Sequence, residues 1–298
     1  LKGPCTKAEA PAWDVMGEGL PPLTLELSQP EFEKLSALVY AKSGINLHQG
    51  KKELVRARLG KRLRATGIQT FRDYYELLVS EDGGGELVRM LDAITTNQTS
   101  FFREKAHFDF LEQTVLPSYL SRSNGSGKRS LRCWSAGCSS GEEPYSLAMC
   151  LFEYFGHPLP LELHILATDI STRILESAGR GIYSAAKVNG IAPAVLRKYF
   201  QKGFGRSEGY YRAKDLLRSA VTFELRNLME PFTFSSPFDL ILCRNVMIYF
   251  DKRTQQSLVS RFHGSLCSGG HLFIGHSESL TGIDHRFRYV RPSVYRKA

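Results

Sequence analysis

Between residues 30 and 120 the apolar positions recur at helical spacing. Phe32, Leu35, Leu38 and Val39 follow Pro30, Glu31 and Glu33, and Gly44 ends the run, which predicts a helix opened by proline and acid and stopped by glycine. Val55, Leu59 and Leu63 lie at i, i+4 and i+8 and predict an amphipathic helix ending at Gly67, its Lys and Arg on the other faces. A third helix is expected from about Thr70 with Phe71, Tyr74, Leu77 and Leu78. The run Gly83-Gly84-Gly85 separates it from a fourth carrying Leu87, Met90, Leu91 and Ile94. The segment reads as a small all-helical unit.

Past the polar connection Ser121–Ser130 the texture changes. Short apolar runs at Leu131–Trp134, Leu163–Ala167, Val221–Leu225, Phe238–Cys243 and His271–Ile274 alternate with helical patterns starting at Pro144, Ser171 and Arg253. Strand alternating with helix predicts an α/β domain with a parallel sheet covered on both faces. Residues 180–217 interrupt it with Gly181, Gly190, Gly203, Gly205 and Gly209 among tyrosines and basic residues, so a hairpin-rich insertion is expected there. The organisation is thus a proline-rich flexible tail over 1–22, a helical domain over 23–92 and an α/β domain over 93–298.

Composition narrows the class. Over 298 residues, 42% hydrophobic and 23% charged is an ordinary globular mix, which excludes a disordered or collagen-like chain. No apolar run approaches the roughly 18 residues that span a bilayer. Residues 1–22 lack the apolar stretch of a signal peptide, so a cytoplasmic location is expected, weakened by a first residue that is Leu rather than Met. The six cysteines form no CxxC pair, which favours reduced, packed thiols and no metal. The net charge of +9 is concentrated: Lys51, Lys52, Arg56, Arg58, Lys61, Arg62 and Arg64 stand against Glu53 alone. Such a patch suits nucleic acid, anionic lipid or an acidic protein surface, and a solvated helix face is the plain alternative.

Candidate chemistry gathers at the strand ends. The first βα turn, Trp134 to Pro144 (WSAGCSSGEEP), has small residues for close ligand approach, yet matches neither GxGxxG nor a phosphate-binding loop. Its Glu142 and Glu143 suit a cationic or amine-bearing ligand better than a pyrophosphate. The second strand ends in Asp169, about where an acid bridges ribose hydroxyls, although it could equally serve the start of the following helix. Asn227, and then Arg244 with Asn245, follow the next two strands, and polar residues at four strand ends favour one shared pocket. The histidines His48, His107, His164, His271 and His276 read as packed or surface residues, and Gly275–Glu278 (GHSE) as part of the fold.

The segments TTNQTSFFRE (Thr95–Glu104), WSAGCSSGEEPYSLA (Trp134–Ala148), ATDIS (Ala167–Ser171), FDLILCRNVMIYFD (Phe238–Asp251) and GGHLFIGHSESL (Gly269–Leu280) together resemble the CheR-type chemotaxis receptor glutamate methyltransferases. The likeness runs in order from about Leu27 to Tyr295. It implies a helical N-terminal receptor-recognition domain and a Rossmann-like methyltransferase sheet with a small β-hairpin insertion. It also implies S-adenosylmethionine as methyl donor, S-adenosylhomocysteine as product, no metal, and glutamate side chains of methyl-accepting chemotaxis receptors as acceptors. By matching position, Asn97, Thr99, Arg103, Glu143 (with Glu142 as the alternative), Asp169, Asn227, Leu228, Arg244 and Asn245 resemble cofactor-contacting residues, and Tyr249 the tyrosine near the transferring methyl; by charge and hydrogen bond Arg103 and Tyr249 can hold the acceptor carboxylate, the alternative for Arg103 being the donor's own carboxylate. One departure is Gly137-Cys138, where many relatives carry Ala-rich sequence.

The chemistry agrees with that likeness. A glutamate with an ordinary pKa near 4.3 is ionised at neutral pH, so methyl transfer needs no general base, consistent with the lack of a Ser/His/Asp or Cys/His set. A nicotinamide oxidoreductase is disfavoured by the missing GxGxxG, and a non-catalytic module by the presence of Arg103, Asp169, Asn245 and Tyr249. The basic segment Lys51–Arg64 is then expected to meet acidic receptor helices rather than nucleic acid, with membrane contact only through receptors. Gly203, Gly205 and Arg206 lie in a glycine-rich loop like that of relatives tethering a receptor's C-terminal peptide, an ordinary hairpin being the alternative.

Overall fold

The computed structural model describes residues 26–122 and 130–298; the tail over 1–22 and most of the Ser121–Ser130 connection lie outside the described residues. Four helices form the first unit: α1 (Gln29–Ser43), α2 (Lys52–Thr66), α3 (Phe71–Val79) and α4 (Gly84–Ile94). Their ends follow from capping. Ser28 Oγ accepts the Glu31 N–H while Glu31 accepts the Ser28 N–H, a reciprocal box, and Gly44 and Gly67 close α1 and α2 at φ 71° and 76°. Thr70 caps α3 by accepting the Asp73 N–H at 3.1 Å. The triple glycine is not purely a separator, because α4 starts inside it at Gly84; the close-packed member is Gly83, where a Cβ would lie 2.0 Å from Leu77 O. The apolar stripes of the four helices, among them Leu35, Val39, Leu59, Leu63, Tyr74 and Met90, meet in one core.

The second unit is a seven-stranded sheet in the order β6-β2-β1-β7-β8-β10-β9, made of β1 (Ser130–Ala136), β2 (Glu162–Asp169), β6 (Val221–Leu225), β7 (Phe238–Cys243), β8 (Leu266–Ile274), β9 (Phe287–Arg291) and β10 (Val294–Lys297). The first five are parallel, and β10 and β9 add an antiparallel hairpin at one end. Both faces are covered. Leu131 and Cys133 of β1 and Leu240 and Leu242 of β7 enter one cluster with the helix Glu142–Phe155. Trp134, Ala136, Ile241 and Cys243 enter the other with Leu258, Val259 and Phe262 of the helix Lys252–Ser265, which is why these strands read as unbroken apolar runs. The chain proceeds outward from β1 through β2 to β6 and then returns to the other side of β1 with β7. The strand order therefore reverses between β1 and β7, and the crevice at their carboxyl ends is where open α/β sheets bind ligands.

The insertion holds a three-stranded antiparallel sheet, β3 (Ile182–Ser184), β5 (Tyr210–Ala213) and β4 (Phe200–Lys202), with β5 in the middle. Tyr183, Val188, Tyr199, Phe200 and Ala213 pack into the same cluster as the helix Glu142–Phe155, so the insertion shares the main core rather than building its own. No helix among the described residues is long and apolar enough to cross a membrane.

Candidate functional site

A cleft opens at the β1/β7 crevice. Its walls bring together Asn97, Thr99, Arg103, Glu143, Asp169, Asn227, Leu228, Arg244, Asn245 and Tyr249, which lie far apart in the chain. The turn after β1 is shaped by left-handed backbone at Gly137, Ser139 and Gly141, with φ of 85°, 50° and 92°. Gly137 is required: a Cβ there would come within 2.4 Å of Val246 Cγ2. The Gly137 and Cys138 N–H groups donate to Thr168 O at 2.8 and 2.9 Å, stitching the turn to β2.

Asp169 ends β2 and joins two turns. Its Oδ2 accepts the Ser139 N–H at 2.9 Å and its Oδ1 the Ser171 N–H at 3.1 Å. The N-cap of the following helix is Ser171, whose Oγ accepts the Ile174 N–H at 3.2 Å, so Asp169 is not the cap itself. Burial pushes the Asp169 carboxyl above its usual range, against the opposing pull of the Ser171, Ser139 and Ile170 N–H groups. A carboxylate has about four acceptor positions, so Asp169, which lines the cleft, keeps accepting capacity beyond its backbone bonds.

The two glutamates after the turn separate cleanly. Glu143 lines the cleft; it accepts Ser135 Oγ–H at 2.6 Å and Arg244 Nη1–H at 3.1 Å. Glu142 points away and is fully buried, held by Ser140 Oγ at 2.6 Å and by Lys187 Nζ of the insertion at 2.5 Å. Adjacent helix positions lie about 100° apart, so only one of the pair can face the ligand. Tyr183 OH donates to Ser140 O at 2.8 Å, and with Lys187 this ties the insertion to the turn.

Arg244 is a structural cation rather than a free one. Its side chain is 1% exposed and its guanidinium donates to Glu143, to Glu104 Oε2 at 3.2 Å and to Arg103 O, joining the end of β7 to the Asn97–Glu104 segment. That segment carries two non-glycine residues in left-handed conformation, Phe102 at φ 51° and Glu104 at φ 57°, on either side of Arg103. Arg103 donates from Nη1 to Gln98 O at 2.9 Å. Glu104, His107 and His276 place possible ligand atoms within 4.8 Å of one another, but Arg244 already supplies the cation at Glu104. Burial, then the Arg244 charge, lowers the His107 pKa to about 3.

The helical unit closes the cleft. Ile45, Leu47, Lys51 and Leu54 line it. Asn46 N–H donates to Tyr249 O at 2.8 Å, Asn227 Nδ2 to Lys42 O at 2.7 Å, and Tyr40 OH to Asp251 Oδ2 at 2.6 Å. The Asn227 amide is therefore an interdomain link, and Leu228 beside it supplies apolar wall. Sequence reasoning missed the Ile45–Leu47 wall, whose signal is Gly44: a Cβ there would meet Met229 Sδ at 2.3 Å, marking a close approach of the two units.

The basic segment does not act as one patch. Lys51, Arg56, Lys61 and Arg64 are exposed and Lys52 is half-buried. Arg62 instead forms a two-pronged pair with buried Glu86 at 2.9 and 2.7 Å, and Arg58 donates to Ile94 O and to Thr95 O, so these two brace the domain. Gly203, Gly205 and Arg206 lie outside the cleft on the β4–β5 hairpin, where Phe204 is 83% exposed.

The acceptor-rich floor fits a donor bearing ribose hydroxyls and positive charge. Asp169 and Glu143 present carboxylate oxygens, Asn245 Oδ1 is buried without a partner among the described residues, and the Arg244 guanidinium is matched by two glutamates. Residues 97–296 match "CheR methyltransferase, SAM binding domain" and residues 30–95 match "CheR methyltransferase, all-alpha domain". The chain belongs to the CheR methyltransferase family. Among its relatives, a chemotaxis protein methyltransferase of Borreliella burgdorferi is 40% identical over 277 residues, covering 92% of this chain and 96% of the relative. That of Escherichia coli is 40% identical over 272 residues, 91% and 92% of the two chains. Chemotaxis protein methyltransferase 2 of Pseudomonas aeruginosa is 37% identical over 272 residues, 91% and 94%. The CheR match places its domain boundary at the end of α4, which runs to Ile94.

Proposed function

We propose that this CheR-family protein transfers a methyl group from S-adenosylmethionine to glutamate side chains of methyl-accepting chemotaxis receptors, yielding glutamyl methyl esters and S-adenosylhomocysteine. The observation that carries the reading is the cleft itself: donor-type acceptors, Asp169 and Glu143, share it with Arg103 and Tyr249 under a wall supplied by the helical domain. Bound S-adenosylmethionine supplies an activated methyl on a sulfonium. Asp169 accepts from the ribose hydroxyls, and Glu143 with Asn245 Oδ1 offers acceptors to the cationic amino-acid end. Leu228 and the Ile45–Leu47 wall exclude water, which would otherwise solvate and weaken a carboxylate nucleophile. Arg103 and Tyr249 orient the acceptor carboxylate by charge and hydrogen bond; orientation of this kind contributes several kcal/mol. No proton has to be removed, since the acceptor is already ionised.

The exposed cations Lys51, Arg56, Lys61 and Arg64, with half-buried Lys52, face the acidic receptor helices, and the hairpin with Gly203, Gly205 and Arg206 takes a receptor peptide as an added strand on the edge strand β4. The protein works in the cytoplasm and touches the membrane only through receptors. Transfer of tritiated methyl to receptor-containing membranes tests the reading: base-labile label on receptors is expected, absent when their glutamates are replaced by alanine. Label that persists on those glutamate-free receptors, or no label at all, refutes it.

A further inference from the structure

Asn245, at the end of β7, sits in the left-handed region with φ 60°, and two carboxylates hold it from opposite sides. Glu278, 9% exposed, accepts the Asn245 backbone N–H at 2.9 Å, the Gly275 N–H at 2.6 Å and the Ile248 N–H at 3.1 Å. Glu104 accepts from Asn245 Nδ2 at 3.4 Å and from the His276 N–H at 3.1 Å. Gly275 lets these groups close up, since a Cβ there would lie 2.5 Å from Asn245 Nδ2 and 2.8 Å from its backbone N. An ionised carboxylate only accepts hydrogen bonds, so the amide nitrogen has to face Glu104 and the amide oxygen has to turn away from it. That oxygen is buried, has no partner among the described residues, and belongs to a residue of the cleft wall. A buried acceptor left without a donor is rare and calls for a reason.

We propose that Glu104 and Glu278 are positioning residues that clamp Asn245 and fix its Oδ1 as a ready hydrogen-bond acceptor for the donor bound in the cleft. Glu278 sets the backbone of the turn that also leads to Tyr249, and Glu104 sets the polarity of the amide. The inference rests on the donor reading above. Glu104 reaches this position directly after Arg103, so the same carboxylate couples the Arg103 segment to the β7 turn.

A polarity swap on the full chain tests the clamp, read by calorimetric binding of S-adenosylhomocysteine with a melting temperature for each variant. Asn245→Asp sets two carboxylates against each other and should weaken binding by about tenfold or more. Combining Glu104→Gln with Asn245→Asp removes the facing carboxylates and lets the new amide donate to the new carboxylate, at the cost of the acceptor that Glu104 Oε1 offers the His276 N–H and of the Glu104 charge on Arg244, so binding should recover in part, to at least about threefold tighter than in Asn245→Asp, through the non-additivity of a directly coupled pair. A double variant no better than Asn245→Asp in binding or in folding overturns the clamp, as does wild-type affinity in Asn245→Asp. Failure of the wild-type chain to bind the product is a different result, and refutes the donor reading itself.

Discussion

Replacing Arg62 by Gln should destabilise the helical domain, although Arg62 belongs to the most basic stretch of the chain. Its guanidinium donates to both oxygens of Glu86, at 2.9 and 2.7 Å, and the side chains are 24% and 7% exposed. Two charge-assisted hydrogen bonds are worth about 1.5–3 kcal/mol each. Partial exposure of Arg62 reduces that sum, and so do the partners Glu86 retains, Tyr74 OH at 2.8 Å and Arg89 at 3.6 Å. The expected loss is about 2–4 kcal/mol, which at about 1–3 kcal/mol per molar lowers a urea midpoint by roughly 1 M or more. Lys61→Gln, at an exposed position one residue away, should cost no more than about 0.5 kcal/mol. The pH dependence has a definite sign. Burial pushes the Glu86 carboxyl up, but the hydrogen bonds from Arg62 and Tyr74 outweigh it and leave the folded pKa below the ordinary glutamate value. The stabilisation is therefore complete above the unfolded value and is lost as pH falls through the folded one. The difference between wild type and Arg62→Gln should shrink as acid is added below about pH 4.5. Equal urea midpoints for Arg62→Gln and Lys61→Gln at neutral pH would show that the pair does not hold α2 to α4.

Tyr249→Phe should lower methylation turnover while leaving calorimetric donor affinity nearly unchanged; wild-type turnover would remove the hydroxyl from the reaction. Gly137→Ala, at φ 85° and with its new methyl 2.4 Å from Val246 Cγ2, should raise the donor Kd by about tenfold or more, and an unaltered Kd would mean that the turn yields freely. Reversing Lys61 and Arg64 to Glu, which are exposed, should slow receptor methylation and flatten its salt dependence without changing donor affinity. Normal methylation with lost DNA binding in that variant would instead make nucleic acid the partner.

The helices were readable because each carries its own punctuation, as in Pro30 with Gly44 and Thr70 before Phe71, and the central strands because burial on both faces leaves plain apolar runs. β9 and β10 escaped, since FRYVR is mostly exposed and VYRK sets only two apolar residues before Arg296 and Lys297, so the end of the chain resembles a polar tail. Their turn at Pro292-Ser293, with Ser293 at φ 63°, was the available signal. Site residues next to strand ends could be found because chain proximity to a strand's carboxyl end fixes where they go. Which of Glu142 and Glu143 faces the ligand depends on the entry angle of a helix, and Lys187, 45 residues away, claims the other. The inward use of Arg58 and Arg62 was equally hidden, because their partners Ile94, Thr95 and Glu86 lie on or beside α4.

Three hydrogen bonds among those between the units, from Asn46 to Tyr249, Asn227 to Lys42 and Tyr40 to Asp251, link the helical unit to segments that shape or border the cleft. The helical unit and the cleft are thus structurally coupled. A chimera that borrows the helical unit of a relative must also import a loop that seats the Tyr249 carbonyl and leaves room for Met229 against Gly44. Under the proposed receptor reading, new specificity is accordingly reached more readily by repainting the outer charges of α2 than by exchanging whole domains.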